Sequence, residues 1–295
     1  MRQIICLSLF LTFTYASVLE AKINVGSSGL NSIYGKDDRE IITNKSDRRI
    51  QELSKSIALI VPVDVLDIGM FKTTIKAASL QETMKMCVSE HFVTRPAVSG
   101  CTGFLVAPNI LASAGHCFMD ESDCATKKII FDVDSKEQSR KGYSVNSNDV
   151  FSCSRIISTM YDMNAPGDQD YSLIELDRTP KRREPLKLNM SKKIDNTANV
   201  FMIGHPYGMP LILSRESAIF NNNGIYQFTA GLDSFEGNSG SPVINSKTML
   251  VEGILVNGQE DLVYDPKNEC YRNKVYDGKG GEGVFRASEL PPFLK

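Results

Sequence analysis

The stretch CTGFLVAPNILASAGHC, residues 101–117, holds two apolar runs on either side of a Pro-Asn turn. Apolar runs that flank such a turn predict a β-hairpin. Because a hairpin returns the chain to its starting point, we expect Cys101 to lie beside Cys117. A disulfide bond between them would close a loop of about 15 residues, stabilise the fold by roughly 3 kcal/mol, and hold the backbone next to His116.

Short strands separated by turns extend this pattern over most of the chain. Apart from the hairpin, apolar segments predict strands at residues 56–63, 128–131, 150–158, 172–176, 199–203, 211–220, 226–229, 241–244, 250–256 and 283–286. Many short strands at this spacing predict an all-β sandwich or barrel rather than a parallel sheet. Residues 74–86 are an exception, since they predict a short helix.

The composition is that of a globular protein. The chain has 295 residues, of which 42% are hydrophobic, and this excludes disordered, collagen-like and coiled-coil classes. Its 33 basic and 35 acidic residues give a net charge of −2, so nucleic acid and anionic membranes are not expected as partners. The charged segment 177–187, DRTPKRREPLK, is the best internal boundary, and residues 181–183 within it predict a solvated turn.

The N-terminus has the features of a secretory signal peptide. Arg2 supplies the positive start, residues 4–14 form the apolar run, and Ala16 and Ala21 are small residues suited to cleavage. We therefore predict a signal peptide over residues 1–16, with cleavage after residue 21 as the alternative. The expected location is extracellular or periplasmic, with no membrane association after the signal is removed.

Signal removal would take Cys6 with it and leave an even number of cysteines. The six are Cys87, Cys101, Cys117, Cys124, Cys153 and Cys270. An even count in an exported chain predicts disulfide bonds. No CxxC pair is present and only Cys117 adjoins a histidine, so neither a metal site nor a cofactor is expected.

A second informative stretch, DSFEGNSGSPV, covers residues 233–243 and places Ser239 in a glycine-rich turn. Gly237 and Gly240 on its two sides let the backbone turn sharply. The N–H groups of Gly237 and Ser239 can then point the same way, as the two donors of an oxyanion hole do. A glycine-rich surface loop is the alternative reading.

A third stretch, GDQDYSLIEL at residues 167–176, places Asp170 just before a buried strand. A shielded carboxylate in this place can accept a hydrogen bond from a histidine ring. Asp168 is the competing candidate, and a solvated turn is the alternative for both. The sequence has three histidines, His91, His116 and His205, and only His116 lies in a distinctive context.

Along the chain His116 comes first, then Asp170, then Ser239, which is the order of the chymotrypsin architecture. The motifs that carry them, AGHC at 114–117, DYSL at 170–173 and GNSGSP at 237–242, resemble those of the chymotrypsin-like serine proteases. The resemblance is to the bacterial branch that includes the glutamyl endopeptidases. Gly204-His205-Pro206 and Gly283-Val284 with Arg286 also look like that branch.

This resemblance covers roughly residues 32–290 and implies an all-β fold of two six-stranded antiparallel β-barrels, with the active site between them. The N-terminal barrel would span residues 32–182 and carry His116 and Asp170. The C-terminal barrel would span residues 183–295 and carry Ser239. The charged segment 177–187 would cross between the barrels.

The activity that the resemblance implies is serine endopeptidase chemistry by a Ser-His-Asp triad through an acyl-enzyme. His116 would act as base and then acid, Asp170 would orient it, and Gly237 and Ser239 would form the oxyanion hole. Protein or peptide substrates and a monomeric enzyme are expected. The non-enzymatic alternative is a secreted binding protein on an inactivated protease fold.

Cleavage specificity depends on the residues of the primary pocket. Asp233 lies six residues before Ser239, the spacing of the pocket aspartate in the trypsin branch, and Gly258 closes the matching pocket strand 253–258. Both are predicted substrate-binding residues, and a partly buried carboxylate at Asp233 favours Arg or Lys before the scissile bond. The alternative for Asp233 is a carboxylate already satisfied by loop amides. A glutamyl-specific enzyme is the alternative, but strand 253–258 lacks the histidine of that branch, and His205 lies far upstream.

Activation cannot follow the trypsin pattern, because Asn238 stands where trypsin has the aspartate that pairs with the new N-terminus. Residues 32–39, SIYGKDDR, resemble the mature start of the glutamyl branch. This predicts a zymogen with a pro-segment over residues 17–31, or, alternatively, a protein made final by signal removal alone. Cys124 and Cys153 flank an early segment of the first barrel and are predicted to pair, which leaves Cys87 with Cys270 by elimination.

Overall fold

The computed structural model describes residues 33–133, 138–139, 142–162, 168–277 and 280–294. The predicted signal peptide at 1–16 and pro-segment at 17–31 lie outside this part of the chain. Among the described residues, no helix is both long and apolar enough to cross a membrane.

The described residues form mainly short strands, with three short helices. In the first half of the chain the strands are β1 (Ile33–Tyr34), β2 (Glu40–Ile41), β3 (Ile57–Pro62), β4 (Leu66–Ile68), β5 (Lys72–Lys76), β6 (Ala78–Ser79), β7 (Pro96–Ala97), β8 (Cys101–Ala107), β9 (Ile110–Ser113), β10 (Lys127–Ile130), β11 (Gln138–Ser139), β12 (Gly142–Asn146), β13 (Val150–Asp162) and β14 (Gln169–Leu176). The second half adds β15 (Asn199–Gly204), β16 (Ile212–Asn221), β17 (Gln227–Ala230), β18 (Pro242–Asn245), β19 (Val251–Asn257), β20 (Leu262–Asp265), β21 (Cys270–Asn273), β22 (Val275–Tyr276) and β23 (Glu282–Arg286). The helices are α1 (Arg48–Ser54), α2 (Leu80–Met84) and α3 (Glu121–Thr126).

The first barrel is closed by six antiparallel strands in the order β10-β13-β14-β9-β8-β3. The predicted hairpin of residues 101–117 supplies β8 and β9. Strand β3 reads as a continuous apolar run because both of its faces are covered. Ile57 and Ile60 pack in the main core, while Leu59 and Val61 pack against the separate sheet β11-β12-β5-β4.

The second barrel contains β15, β18, β19, β23, β17 and β16, and it closes through the pairing of β15 with β16. The expected all-β fold of two six-stranded antiparallel barrels is therefore confirmed. One hydrophobic core cluster runs between the barrels, since Phe104 and Leu173 of the first barrel belong to the same cluster as Ile203 and Phe285 of the second.

The start of the described chain lies on the second barrel, although the predicted unit 32–182 assigned it to the first. Strand β1 pairs in parallel with β22, and β2 adds to the edge of β16. A pairing of this kind covers the exposed edge of a sheet. The six strands that close the first barrel all lie between residues 57 and 176, and those of the second lie between 199 and 286.

The described part of the chain contains three disulfide bonds, and they are the predicted pairs. Cys101–Cys117 spans 16 positions beside His116, and Cys124–Cys153 joins helix α3 to strand β13. Cys87–Cys270 joins positions 183 residues apart and ties the segment after α2 to strand β21. Because it spans most of the described chain, this last bond links the two halves of the molecule directly.

Two local predictions were wrong. Residues 72–76 form strand β5 and only Leu80–Met84 is helical, so the predicted helix at 74–86 is shorter than expected. The turn 181–183 is not wholly solvated, because the Arg183 side chain is 5% exposed and pairs with both Asp132 and Asp149. The carbonyl of Lys55 also accepts a hydrogen bond from Arg183, which ties the crossing segment to the first barrel.

Candidate active site

The pair His116 and Asp170 lies at the end of the first barrel. His116 belongs to a short 3₁₀ turn, Gly115–Cys117, that follows β9 and is held by the disulfide bond to Cys101. Asp170 is the second residue of β14 and is 2% exposed. The Nδ1 atom of His116 lies 2.7 Å from Oδ2 of Asp170. With Nδ1–H donating to the carboxylate, Nε2 is the nitrogen left to accept a proton.

The other carboxylate oxygen of Asp170 is occupied as well. Its Oδ1 accepts the backbone N–H groups of Gly115 at 2.5 Å and of His116 at 3.1 Å. Three hydrogen bonds therefore hold the side chain and orient the imidazole, whose own side chain is 19% exposed. Asp168, the competing candidate, makes different contacts. Its backbone φ is 44°, and its backbone carbonyl accepts a hydrogen bond from the Gln227 side chain.

Ser239 lies in a tight loop of the second barrel just before strand β18. Its neighbours Gly237 and Gly240 have φ values of 94° and 90°, a conformation that only glycine adopts without strain. A side chain at Gly240 would also collide with the carbonyl of Thr102 and the hydroxyl of Ser113. The glycines predicted from sequence are thus required for the loop to approach the first barrel.

Thr102, the residue after Cys101, joins this loop to the first barrel. Its N–H donates to the carbonyl of Ser239 at 2.8 Å, and its hydroxyl donates to the carbonyl of Gly237 at 2.8 Å. The sulfur of Cys117 lies 4.0 Å from the Ser239 carbonyl. Ser239 is thereby held beside the disulfide bond that flanks His116. The sequence reasoning did not include Thr102, although a polar residue inside an apolar strand is a readable signal.

The trypsin-like peptidase domain family matches residues 101–254, which is more than half of the chain and includes His116, Asp170 and Ser239. This chain belongs to that family. It is a serine endopeptidase of the trypsin-like type. No curated protein sequence matches it significantly.

Solved structures of similar fold include two proteases and a heparin binding protein. A Glu endopeptidase in complex with MPD superposes with a TM-score of 0.50 at 14% identity, covering 87% of this chain and 95% of its own. Neuropsin, a serine protease expressed in the limbic system of mouse brain, gives 0.51 at 13% identity, with coverages of 82% and 94%. Human heparin binding protein gives 0.50 at 12% identity, with coverages of 85% and 92%. At such identities the likeness concerns the fold alone.

Asp233 of this trypsin-like peptidase is buried and bonded to the N-terminal segment. It is 5% exposed, its Oδ1 accepts the N–H of Tyr34 at 2.8 Å, and its Oδ2 accepts the N–H of Asp38 at 3.3 Å. Burial raises the pKa of Asp233 to about 6, although the two amide donors act in the opposite direction. Gly258 follows strand β19 and is half-buried.

The involvement of Tyr34 was missed by the sequence reasoning. Besides its bond to Asp233, its hydroxyl donates to Oε1 of Glu282 at 3.2 Å and accepts the N–H of Gly281 at 2.9 Å. Tyr34 therefore connects Asp233 to the start of strand β23. No local pattern in residues 32–39 indicates contacts with positions about 200 residues away.

The other two histidines have structural or surface positions. His205 is buried, its Nδ1 lies 2.7 Å from the carbonyl of Met209, and burial lowers its pKa to about 4. It is therefore neutral at physiological pH. His91 is exposed and lies 3.2 Å from Asp37. Among the described residues, one close group of potential metal ligands is present, formed by Cys101, His116 and Cys117. The two cysteines of this group are joined in a disulfide bond.

Proposed function

We propose that this serine endopeptidase hydrolyses peptide bonds with His116, Asp170 and Ser239 as its catalytic triad. The observation that carries the proposal is the 2.7 Å contact between His116 Nδ1 and the buried Asp170 carboxylate, beside a Ser239 loop that Thr102 holds in place. A serine hydroxyl needs a neighbouring base to become nucleophilic, and the Nε2 atom of His116 is that base.

In the proposed reaction, Ser239 Oγ attacks the substrate carbonyl carbon while His116 takes the hydroxyl proton. The negative charge on the substrate oxygen is stabilised by the N–H groups of Gly237 and Ser239. His116 then gives its proton to the amine nitrogen as the C–N bond breaks, leaving an acyl-enzyme. Water, activated by His116, hydrolyses the ester and restores Ser239. Asp170 stabilises the imidazolium formed in each half-reaction.

For specificity, we propose a preference for Arg or Lys before the scissile bond. Asp233 uses two of the roughly four acceptor positions of a carboxylate for backbone amides, which leaves acceptor capacity for a cation. Of the charged groups near Asp233, Asp38 is acidic, and Arg39 is already paired with Asp37 at 2.8 Å. This balance of charge favours a cationic side chain over glutamate.

The test is cleavage-site profiling with a peptide library, run on the wild type and on Ser239→Ala. We expect cleavage after Arg and Lys, complete loss in Ser239→Ala with an unchanged unfolding midpoint, and labelling of Ser239 in the wild type by a fluorophosphonate probe. Full activity of folded Ser239→Ala would refute the triad, and cleavage only after Glu would refute the role of Asp233. Absence of both labelling and cleavage would favour an inactive binding protein.

Export is the remaining part of the proposal. The three disulfide bonds of the described residues fit an oxidising compartment, in line with a signal peptide over residues 1–16. The monomeric state of the exported enzyme stays a prediction. N-terminal sequencing of the active secreted protein tests the pro-segment at 17–31. A start at residue 32 supports it, and a start at residue 17 or 22 refutes it.

A further inference from the structure

The peptide unit between Glu236 and Gly237 supplies the N–H of one oxyanion donor, and its orientation is set by hydrogen bonds. The carbonyl of Glu236 accepts the N–H of Tyr207 at 2.5 Å. In a trans peptide the C=O and N–H groups point in opposite directions. Because the carbonyl faces Tyr207, the N–H of Gly237 must point away from Tyr207.

The side chains of Asp261 and Tyr207 stabilise this arrangement. Oδ2 of Asp261 accepts the N–H of Glu236 at 3.0 Å and the hydroxyl of Tyr207 at 3.1 Å. Both residues are buried, with 8% exposure for Asp261 and 5% for Tyr207. Asp261 thus holds both the peptide that precedes the Glu236–Gly237 unit and the residue that bonds its carbonyl.

Tyr207 itself is in a conformation that needs such support. Its φ of 50° lies in the left-handed region, which is costly for a residue with a side chain. Burial and the neighbouring Asp261 raise the pKa of Tyr207 well above its ordinary value, so its hydroxyl keeps the proton that it donates. Removal of the Asp261 contact would free the Tyr207 turn and the peptide bonded to it.

We propose that Tyr207 and Asp261 are positioning residues for the oxyanion hole, which hold the Glu236–Gly237 peptide so that the Gly237 N–H faces the substrate carbonyl. The inference rests on the proposed function. Neither side chain touches the substrate; both act through Gly237. Since Gly237 has a φ of 94° that glycine adopts freely, rotation of this peptide costs little once its bonds are gone.

The experiment compares Asp261→Ala, Asp261→Asn and Tyr207→Phe with the wild type. Loss of one oxyanion donor costs about 10²–10³ in kcat. We expect Asp261→Ala to lower kcat by about 10²-fold with KM changed less than about twofold. Asp261→Asn keeps an acceptor oxygen and should restore most of the rate. Tyr207→Phe should show an intermediate loss.

A second readout separates positioning from loss of stability. A peptide aldehyde forms a hemiacetal with the serine and places an oxyanion in the hole, so its affinity should fall in parallel with kcat. The affinity for the product peptide acid should stay unchanged. The matched control is Tyr143→Phe, which also removes a buried tyrosine hydroxyl, here bonded to the carbonyl of Pro96 at 2.7 Å in the first barrel. It should lower stability and leave kcat and aldehyde affinity unaltered.

The outcomes separate failure of the positioning roles from failure of the catalytic triad. An active wild type with full kcat in folded Asp261→Ala and Tyr207→Phe would overturn the positioning roles and leave the triad intact. Equal losses in Asp261→Asn and Asp261→Ala would also overturn them, because an acceptor at residue 261 would then not suffice. A wild type that neither cleaves peptides nor binds the aldehyde would overturn the proposed function and this inference with it.

Discussion

Replacing Thr102 with valine removes one hydroxyl from the contact between the barrels and should weaken both folding and catalysis. This hydroxyl donates to the carbonyl of Gly237 at 2.8 Å and accepts the N–H of His205 at 3.0 Å. Thr102 is fully buried. Valine fills the same space but leaves both backbone groups without their partner in the interior.

The expected magnitude follows from these two groups. A buried polar group left unsatisfied costs about 1–3 kcal/mol. With two such groups and partial relaxation, we expect Thr102→Val to lower the free energy of unfolding by about 2–4 kcal/mol. Thr102→Ser keeps the hydroxyl and loses one buried methyl group, which costs about 1 kcal/mol.

The assay is unfolding in guanidinium chloride with disulfide bonds intact, carried out in a Ser239→Ala background so that self-cleavage does not interfere. A lower midpoint at unchanged slope reports the loss of stability. In the active enzyme, Thr102→Val should lower kcat more than Thr102→Ser does, because Gly237 loses its hydrogen bond from the first barrel. The reasoning would be refuted if Thr102→Val were as stable and active as the wild type, or if Thr102→Ser were equally damaged.

Three further predictions concern other parts of the site. Asp170→Asn should lower kcat by about 10⁴-fold, because the amide no longer holds the Nδ1–H tautomer of the histidine; a loss below tenfold in steady-state kinetics would contradict this. Burial raises the pKa of Asp233 to about 6, so the folded state binds this proton more tightly than the unfolded state does. Its contribution to stability therefore falls by about 2–3 kcal/mol as pH rises from about 4 to 6 and is constant above 7. Asp233→Asn should remove that slope in guanidinium unfolding at pH 4 to 7, and an unchanged slope would argue against it. Gly240→Ala should abolish activity and destabilise the fold, because its Cβ meets the Thr102 carbonyl, whereas Gly35→Ala, with a similar φ of 86° and nothing within 4 Å, should cost only the backbone strain of about 1 kcal/mol. Comparable unfolding midpoints for the two glycine variants would contradict the steric argument.

The predicted helix at residues 74–86 shows a limit of prediction from local sequence patterns. Thr73, Thr74 and Ile75 are β-branched and pair with strand β12, so this part is a strand. The helix begins only at Leu80, after a capping box in which Ser79 and Glu82 bond each other's backbone. The S-x-x-E pattern was readable in the sequence, whereas the pairing of β5 with β12, about 70 residues away, was not.

Arg183 illustrates a similar limit for charged residues. Three consecutive basic residues indicate a solvated turn, and Lys181 and Arg182 are indeed exposed. Arg183 instead pairs with Asp132 and Asp149, whose positions depend on how the first barrel closes. A charge is rarely buried unless it is paired, and the partners become adjacent only in the folded chain.

The sequence by itself determined the strand-rich pattern, the hairpin closed by Cys101 and Cys117, and the glycine turn around Ser239. These features are local, since turn residues and alternating burial act over a few positions. Only the tertiary structure decided that Asp233 is bonded to Tyr34 and Asp38, 199 and 195 residues away.

The same holds for the groups that orient the site. The Thr102 hydroxyl donates a hydrogen bond to Gly237, 135 residues away, and the Tyr207 hydroxyl donates one to Asp261, 54 residues away. Such hydrogen bonds are short-ranged and directional, so they form only where the closed barrels bring the two groups within about 3 Å. The residue types proposed for catalysis can therefore be recognised in the sequence, but the contacts that orient them form only when each barrel closes and the two barrels pack together.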